Sequence, residues 1–310
     1  MITGRFAPSP SGHMHLGNVS AALLAWLSAK SQGGEVVLRI EDLDPDRSRR
    51  EYAETIMDDL QWLGLKWDRR AEDQSRRADA YLAAMEKLKG LIYPCYCSRG
   101  ELRAASAPHA SDGRVVYPGR CRNLSVEQRL AQRKTPCLRI CVPDQIISFV
   151  DGLQGPYALS LADQWGDFIL RRADGVAAYQ LAVVVDDAAN GVTEVVRGRD
   201  LLSSTPVQIW LYRELGLKAP SFYHTPMLLA MDGRRLSKRD GDCTLQGLRA
   251  SWSAEKVIGL IAWLYGLIDR WEAVSLTELL KDFSWNKVRR EDILLDMKMI
   301  MRSPYIKNHD

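Results

Sequence analysis

The chain begins with a short strand that ends in a segment rich in proline, glycine and histidine. This segment, RFAPSPSGHMHLGN, spans residues 5–18. Its two prolines fix φ and lack backbone donors, so a regular strand must end there, and its glycines permit close approach to the backbone. The following NVSAALLAWLSAK has apolar residues spaced for one helical face, with Asn18 or Ser20 as the predicted cap. Such a strand-to-helix turn is where a parallel α/β sheet commonly binds a nucleotide.

Short strands and helices alternate through the first ninety residues. The pattern predicts strands near 2–6 and at 35–40, and helices near 18–30 and 48–63. This order indicates a βαβ unit with parallel strands. The sequence therefore predicts an α/β fold at its amino end.

The pattern changes near Tyr93. Cysteines, glycines, prolines and irregular polar stretches follow up to about residue 160, which indicates an inserted module. The apolar runs in AAYQLAVVVDDAANGVTEVVRG at 177–198 predict two further strands, and TPVQIWLYRELG predicts a helix, so the sheet resumes there. From about 245 onward the apolar spacing is helical. We expect three parts: a split α/β domain at 1–90 and 177–240, an inserted module at 91–176, and a helical domain at 241–310.

Composition excludes some classes of protein. With 310 residues, 46% of them hydrophobic, the chain can bury substantial cores. Its net charge is only +3, so a nucleic-acid surface must be local, as in RSRR at 47–50, unless such runs are solvated faces. There is no apolar amino-terminal signal, and VIGLIAWLYGLI at 257–268 is too short to span a membrane. We expect a cytoplasmic protein without a membrane partner, whose six cysteines are metal ligands or free thiols.

A second candidate segment lies far downstream, where MDGRRLSKRDG at 231–241 forms a basic loop flanked by glycines. A lysine in such a loop can approach phosphate as negative charge develops. Either segment alone has the alternative of an ordinary surface loop. Together, around a βαβ sheet, they favour nucleotide chemistry.

These two segments resemble the two signatures of the class I aminoacyl-tRNA synthetases. RFAPSPSGHMHLGN resembles the glutamate-type HIGH signature, and RLSKR resembles the KMSKS loop. The resemblance covers roughly the first 245 residues and fits the glutamyl branch better than the glutaminyl branch. It continues through LRIEDLDPDRS at 38–48, AYQLAVVVDD at 178–187 and GVTEVVRGRDLLSSTPVQIWLYRELG at 191–216.

The resemblance implies a fold and an ATP site. The fold is a Rossmann-like parallel sheet with a zinc-bearing insertion and a carboxyl-terminal helical domain. The reaction joins glutamate to ATP, with Mg²⁺, as an aminoacyl adenylate, chiefly by positioning and charge stabilisation. His15 and Lys238 are the implied catalytic residues, and the implied ATP-binding residues are His15, Gly17, Asn18, Ser237 and Lys238. Asn18 departs from the signature, where a second histidine is usual, although an amide can still donate to phosphate.

The resemblance also implies a pocket for glutamate, which needs cations at its carboxylates and an anion at its ammonium group. The matching residues are Arg5, Ala7, Ser9, Glu41, Tyr179 and Arg197. Arginine suits carboxylates because its fork can bind them bidentately. An ordinary ion pair is the alternative for Glu41 and Arg197. Val183 stands where an asparagine is common in this family, so we expect a missing polar contact and weaker glutamate binding.

The insertion contains a candidate zinc site. Cys95, Cys97 and Cys121 have plausible zinc spacing but leave the tetrahedron one ligand short. General zinc chemistry favours His109 as the fourth ligand, whereas the resemblance implies Tyr117, with water as a further possibility. Free thiols are the alternative to any metal. Since the cluster has no obvious open position, we expect one structural zinc ion.

The carboxyl end bears on the acceptor. Glutamyl-tRNA synthetases continue into an anticodon-binding domain, whereas only about seventy residues follow Lys238 here, so we expect no such domain. The short chain and the Cys, Cys, Tyr, Cys set resemble the glutamyl-Q tRNA(Asp) synthetases. That resemblance implies a monomeric ligase that activates glutamate without tRNA and transfers it to queuosine at the wobble position, in the anticodon loop of tRNA(Asp).

Two other functions stay open at this point. One is a short glutamyl-tRNA synthetase that charges the 3′ end of tRNA. The other is a non-catalytic, synthetase-like RNA-binding protein. The second predicts loss of reactive residues, yet His15, Glu41 and Lys238 are all present.

Overall fold

The computed structural model describes residues 1–98, 116–234 and 244–296 of the chain. Short strands alternate with helices through most of this length. The strands are β1 (Thr3–Phe6), β2 (Glu35–Leu38), β3 (Arg69–Arg70), β4 (Ile92–Cys95), β5 (Cys137–Ile140), β6 (Ile146–Asp151), β7 (Gly155–Ser160), β8 (Phe168–Arg171), β9 (Glu194–Gly198), β10 (Ser221–Thr225), β11 (Leu228–Ala230) and β12 (Ile293–Leu295). The α-helices are α1 (Leu16–Ser31), α2 (Arg50–Trp62), α3 (Ala78–Lys87), α4 (Val126–Leu130), α5 (Tyr179–Ala189), α6 (Thr205–Glu214), α7 (Leu245–Arg249), α8 (Ala254–Leu264) and α9 (Leu276–Lys281).

Two parallel ladders form the centre of the molecule. One has the order β1-β2-β3, and the other pairs β9 with β10. They adjoin at the amino ends of β1 and β9, where the Thr193 N–H donates to the Thr3 carbonyl at 2.9 Å. Further along, the side chain of Arg5 lies between them and donates from Nη1 to the Val196 carbonyl at 3.1 Å. The ladders therefore separate toward their carboxyl ends, which is where open α/β sheets bind ligands.

Antiparallel pairs build the region between β4 and β8. Strands β4, β5 and β8 form one sheet in that order, and β6 and β7 form a hairpin. A bridge joins Tyr117 to Gly166. A last parallel pair, β11 with β12, connects the carboxyl-terminal helices to the centre.

Two large hydrophobic cores support these sheets. The first packs α1 and β2 against α8, with Leu24, Leu38 and Leu260 all fully buried. The second joins β8, α5 and α6 and includes Leu170 and Trp210. The helices of the carboxyl-terminal part thus hold α1 from behind, which fixes the amino end of α1 relative to the sheet. The three-part domain division stays a prediction.

Most of the expected elements are present, but one expected strand is a helix. The strands and helices of the first 62 residues are where the pattern placed them, and the helix at 205–214 is confirmed. The expectation of a strand in the apolar run after Ala178 is wrong, because Tyr179–Ala189 is α5. β-Branched residues favour strands, but periodicity alone does not distinguish a buried strand from a buried helix. Strand β12 was not expected in a region of helical spacing.

The expected cap of α1 is also wrong. The helix begins at Leu16, and His15 is the capping residue, with extended φ and ψ of −99° and 166°. Asn18 instead lies in the first turn, where its Oδ1 accepts from the His15 N–H at 3.2 Å. The Ser20 hydroxyl donates to the Leu16 carbonyl within the helix. The first turn of α1 has little apolar periodicity, so the sequence pattern predicted a helix start near Asn18, two residues after the actual start at Leu16.

Candidate active site

A cavity of about 660 Å³ opens where the two parallel ladders separate. Its walls come from the turn after β1, the first turns of α1, the end of β9 and the segment after β10. Nine residues expected from the resemblance line it: Arg5, Ala7, Ser9, His15, Gly17, Asn18, Glu41, Tyr179 and Arg197. Three other expected residues, Ser237, Lys238 and His109, lie outside the described residues. The fold thus brings segments from four parts of the chain to one cavity.

A buried ion-pair network forms one wall of the cavity. Arg39 donates from Nη1 to Asp187 Oδ1 at 2.5 Å and from Nη2 to Glu41 Oε1 at 2.8 Å. Arg5 Nε lies 3.7 Å from Asp187 Oδ2. The Arg39 side chain is fully buried and that of Asp187 is 3% exposed. Asp187 therefore holds two arginines, and Arg39 in turn orients Glu41 toward the cavity.

Burial changes the pKa of Glu41, the carboxyl group of this wall that faces the cavity. It raises the pKa of the Glu41 carboxyl, and the adjacent Arg39 guanidinium opposes that rise. The hydrogen bond from Arg39 Nη2 favours the ionised carboxylate of Glu41, which is the form that can receive an ammonium group. Arg39 and Asp187 were missed from the sequence. In the sequence, each is a charged residue inside an apolar run: Arg39 in EVVLRI and Asp187 in LAVVVDDAA. A charged side chain that is buried requires a partner.

Arg197, on β9, is the second buried cation of the cavity and is 5% exposed. Its Nε donates to His224 Nε2 at 3.1 Å, its Nη2 to Thr205 Oγ1 at 2.8 Å, and its Nη1 to the Tyr179 hydroxyl at 3.4 Å. Burial lowers the pKa of this guanidinium, and arginine stays protonated throughout the ordinary pH range. The expected residues Tyr179 and Arg197 are thus in direct contact.

The charges at this end of the cavity do not cancel. Among the described residues that line this end, Arg5 and Arg197 are cationic and Glu41 is anionic. A ligand with two carboxylates and one ammonium group has the complementary net charge. Val183, expected to weaken glutamate binding, lies in the second core at 1% exposure and is not among the described residues that line the cavity.

The amino end of α1 forms the other side of the cavity. In this 16-residue helix the hydrogen bonds start with the Asn18 N–H, which donates to the His15 carbonyl at 2.9 Å, so the N–H groups of Leu16 and Gly17 precede them. The helix dipole adds partial positive charge there. His15 Nδ1 is buried without a hydrogen-bond partner. A Cβ at Gly17 would lie 3.2 Å from the His15 ring, so glycine leaves room for that ring. This end is suited to phosphate.

Burial lowers the pKa of the His15 imidazole, and the charge of Asp200 opposes the shift. The ring is therefore neutral near pH 7. A neutral imidazole with one protonated nitrogen can donate to a phosphate oxygen without adding full charge.

A separate cluster lies at the end of β4. Sulfur atoms of Cys95, Cys97 and Cys121 all lie within 4.8 Å of one another, and the Cys97 and Cys121 sulfurs are 3.7 Å apart. The Tyr117 hydroxyl lies 3.4 Å from the Cys95 sulfur and 3.7 Å from the Cys97 sulfur. With zinc–sulfur bonds of about 2.3 Å, the edges of a zinc tetrahedron are about 3.8 Å. These four side chains therefore have spacing that fits zinc.

Neighbouring side chains hold this cluster in place. The Arg139 guanidinium lies over the Tyr117 ring, 4.0 Å from its centroid. The Asp167 carboxylate, 2% exposed, accepts from the Tyr93 hydroxyl, from Arg122 and from the Val142 N–H. Tyr93 packs directly against the cysteines. The cluster is thus a buried, supported site at a position away from the cavity lining.

Among the helices of the described ranges, none is long and apolar enough to cross a membrane.

Comparisons with known proteins give matches of three kinds. The sequence model of the family described as "tRNA synthetases class I (E and Q), catalytic domain" matches residues 1–287. A protein of Symbiobacterium thermophilum, named glutamyl-Q tRNA(Asp) synthetase, is 50% identical over 97% of this chain and 98% of its own length. A Nocardia farcinica protein with the same name is 46% identical over 94% of this chain and 92% of its own. Among solved structures, a glutamate tRNA ligase from Elizabethkingia meningosepticum, in complex with its amino acid, superimposes with a TM-score of 0.82 at 30% identity, covering 96% of this chain and 67% of that one.

Proposed function

Because this chain belongs to the glutamyl-Q tRNA(Asp) synthetases, within the class I tRNA synthetases, we propose that it activates L-glutamate with ATP and transfers it to queuosine in tRNA(Asp). The expected class I synthetase fold and the assignment to the ligases are confirmed. Identity of 50% over nearly the full length of a relative supports this acceptor over the 3′ end of tRNA, since the glutamate tRNA ligase is 30% identical.

The observation that carries the proposal is the two-ended cavity. Its cationic wall, with Arg5, Glu41 and Arg197, complements the charges of glutamate, and the amino end of α1 is suited to phosphate. Both reactants are thereby held side by side in one space. Such positioning can supply about 7–11 kcal/mol of the barrier reduction for a two-substrate reaction.

The first step forms an adenylate. A carboxylate oxygen of glutamate attacks the α-phosphorus of ATP, the bond from that phosphorus to the bridging oxygen breaks, and pyrophosphate leaves. His15 donates to phosphate from the amino end of α1, and Glu41 receives the substrate ammonium group. Lys238, which follows Ser237 in the sequence, stabilises the negative charge that develops on the leaving pyrophosphate.

The second step transfers the glutamyl group. A hydroxyl of the cyclopentene ring of queuosine attacks the carbonyl carbon of the adenylate, loses its proton, and AMP leaves. The anticodon loop of tRNA(Asp) is the part of the RNA that reaches the cavity. We expect the protein to act as a monomer in the cytoplasm, which light scattering after size-exclusion chromatography and cell fractionation would examine.

The test supplies purified protein with ATP and labelled glutamate to tRNA(Asp) isolated with or without queuosine. We expect label only on the queuosine-containing RNA, and we expect it to persist when the 3′-terminal adenosine has been removed. Label on the 3′ end of tRNA(Glu) would show the short glutamyl-tRNA synthetase instead. Absence of any glutamate-dependent pyrophosphate exchange would favour a non-catalytic RNA-binding protein.

Two variants make the activation test specific. Lys238→Ala is expected to lower pyrophosphate exchange by orders of magnitude. Arg50→Ala removes an arginine that is 92% exposed on α2, outside the cavity, and serves as the matched control. Equal activity of the two variants would remove Lys238 from the proposed chemistry.

We also propose that Cys95, Cys97, Tyr117 and Cys121 hold one zinc ion that stabilises the inserted region. A zinc ion bound there would join the segments that carry Cys95 and Cys121, which share only a small hydrophobic core. Cys97→Ser should lower the zinc content measured by elemental analysis, whereas Cys141→Ser should not, since Cys141 is outside the cluster. Wild-type protein that is free of metal, fully folded and active would contradict a structural zinc.

A further inference from the structure

A row of buried polar side chains connects the β6–β7 hairpin to the cavity. Asp151, the last residue of β6, accepts from His224 Nδ1 at 2.5 Å. His224 Nε2 faces Arg197 Nε at 3.1 Å. The side chains of Asp151 and His224 are both fully buried. Neither of these two residues is among the described residues that line the cavity, so they reach it only through Arg197.

The partners determine where the protons lie in this row. Arginine Nε–H can only donate, so His224 Nε2 must be an unprotonated acceptor. The single proton of the neutral ring is therefore on Nδ1 and is donated to Asp151. Burial lowers the pKa of His224, which keeps the ring neutral.

Asp151 is held as a carboxylate. Its Oδ1 accepts from the backbone N–H groups of Leu153, Gln154 and His224 at 2.8–3.1 Å. Although burial opposes it, hydrogen bonding from His224 and Gln154 lowers the pKa of Asp151. The carboxylate is thus fixed in position by the turn that follows β6, and it selects one tautomer of the histidine.

The histidine acts on one edge of the Arg197 guanidinium. That edge carries Nε, bound to His224, and Nη2, bound to Thr205 Oγ1 at 2.8 Å. Nη1 is directed to Tyr179, a residue of the cavity wall. With its Nε–Nη2 edge held by the protein, the guanidinium presents Nη1 to the cavity in a single orientation.

We propose that Asp151 and His224 are positioning residues for glutamate recognition, because His224, held as the Nδ1–H tautomer by Asp151, fixes the Arg197 guanidinium in the cavity. The inference rests on the proposed function and deepens it. Thr205 Oγ1 also lies 3.1 Å from His224 Nε2, so the opposite tautomer would donate from Nε2 to Thr205. The Arg197 Nε–H would then lose its acceptor, and Arg197 would have to move. A carboxylate that selects a histidine tautomer is a known way in which a buried aspartate supports a site.

The kinetic test uses Asp151→Asn, whose amide can donate to Nδ1 and so favours the wrong tautomer. In glutamate-dependent pyrophosphate exchange we expect the KM for glutamate to rise about tenfold or more, as for loss of a hydrogen bond to a charged group, with the KM for ATP unchanged. His224→Gln, which retains an acceptor oxygen, should lose less than His224→Leu.

Asp167→Asn is the matched control. Asp167 is an equally buried carboxylate directly before β8, but its partners support the cysteine cluster and not Arg197. We expect this variant to lower thermal stability while leaving the KM for glutamate near the wild-type value. Equal KM values for Asp151→Asn and Asp167→Asn would overturn the positioning role.

Nuclear magnetic resonance of protein labelled with ¹⁵N-histidine reports the tautomer directly, and this measurement does not depend on enzymatic activity. The chain has five histidines, and His224→Gln assigns the relevant signals. At pH 7 we expect His224 to be neutral with its proton on Nδ1. A proton on Nε2, or on both nitrogens, would refute the inference. If wild-type protein shows no exchange at all, the proposed function fails, and this spectrum alone then decides the arrangement of the row.

Discussion

Asp187 is the residue whose charge the buried wall of the cavity depends on most. It lies on α5, and it is the shared partner of Arg39, at 2.5 Å, and of Arg5, at 3.7 Å. Asp187→Asn keeps the size of the side chain and removes its charge. The variant leaves Glu41 as the remaining carboxylate of the network.

The size of the effect follows from burial. Arg39 is fully buried, so it cannot recover water when its partner is neutralised. Removing one member of a buried ion pair typically costs about 3–5 kcal/mol, and the amide oxygen of asparagine can still accept one bond, so we expect about 3 kcal/mol. With a urea m-value of about 3 kcal/mol/M, the unfolding midpoint should fall by about 1 M.

The assay is urea unfolding followed by circular dichroism, with Glu54→Gln as the control. Glu54 also pairs with an arginine, Arg50, at 2.8 Å, but this pair lies exposed on α2. The Arg50 side chain is 92% exposed and that of Glu54 is 59% exposed. Exposed helical pairs contribute about 0.3–0.5 kcal/mol, so the midpoint of this control should hardly move. If Asp187→Asn destabilises the protein no more than Glu54→Gln does, the reasoning about the buried network is wrong.

Three further outcomes follow from other parts of the structure. Burial lowers the pKa of His15 below its usual value of about 6.5, so the KM for ATP should show no His15-dependent midpoint above pH 6.5, and a midpoint above 6.5 that His15→Asn abolishes would contradict this. Tyr117→Phe keeps the three thiolates but loses the phenol oxygen, so a chelator should remove zinc faster than from wild type; equal rates would exclude Tyr117 as a ligand. Gly259→Ala should lower the melting temperature although alanine favours helix, because its Cβ would lie 1.8 Å from the Glu272 carbonyl oxygen, whereas Gly90→Ala meets no atom within 4 Å and should be nearly neutral.

Local elements were the most predictable part of this protein. The proline-rich turn, α1 and the helix at 205–214 follow from backbone restrictions and helical spacing, which act within a few residues. The error at α5 has a physical cause. A strand would direct Asp186 and Asp187 to opposite faces, whereas the helix turns both toward arginines, the half-buried Arg77 and the fully buried Arg39. Those partners were not visible in the local pattern.

The cavity-lining residues could be named from motif resemblance, but the residues behind them could not. Resemblance led to Glu41 and Arg197 because these positions match pocket residues of the family. It did not lead to Arg39, Asp151 or His224, which touch the cavity only through another side chain. The residues next to them in the sequence do not indicate which distant side chain each of them contacts.

The sequence by itself determined the strand-to-helix turn, the helical spacing and the residue types that suit phosphate, carboxylate and zinc, since these depend on short stretches of chain. Only the tertiary structure decided the pairings. Arg39 and Asp187 are 148 residues apart, and Asp151 and His224 are 73 apart. Contacts over such separations depend on how the ladders and the inserted strands pack. Burial then decides their strength, because a charge without water must take its partner from the fold.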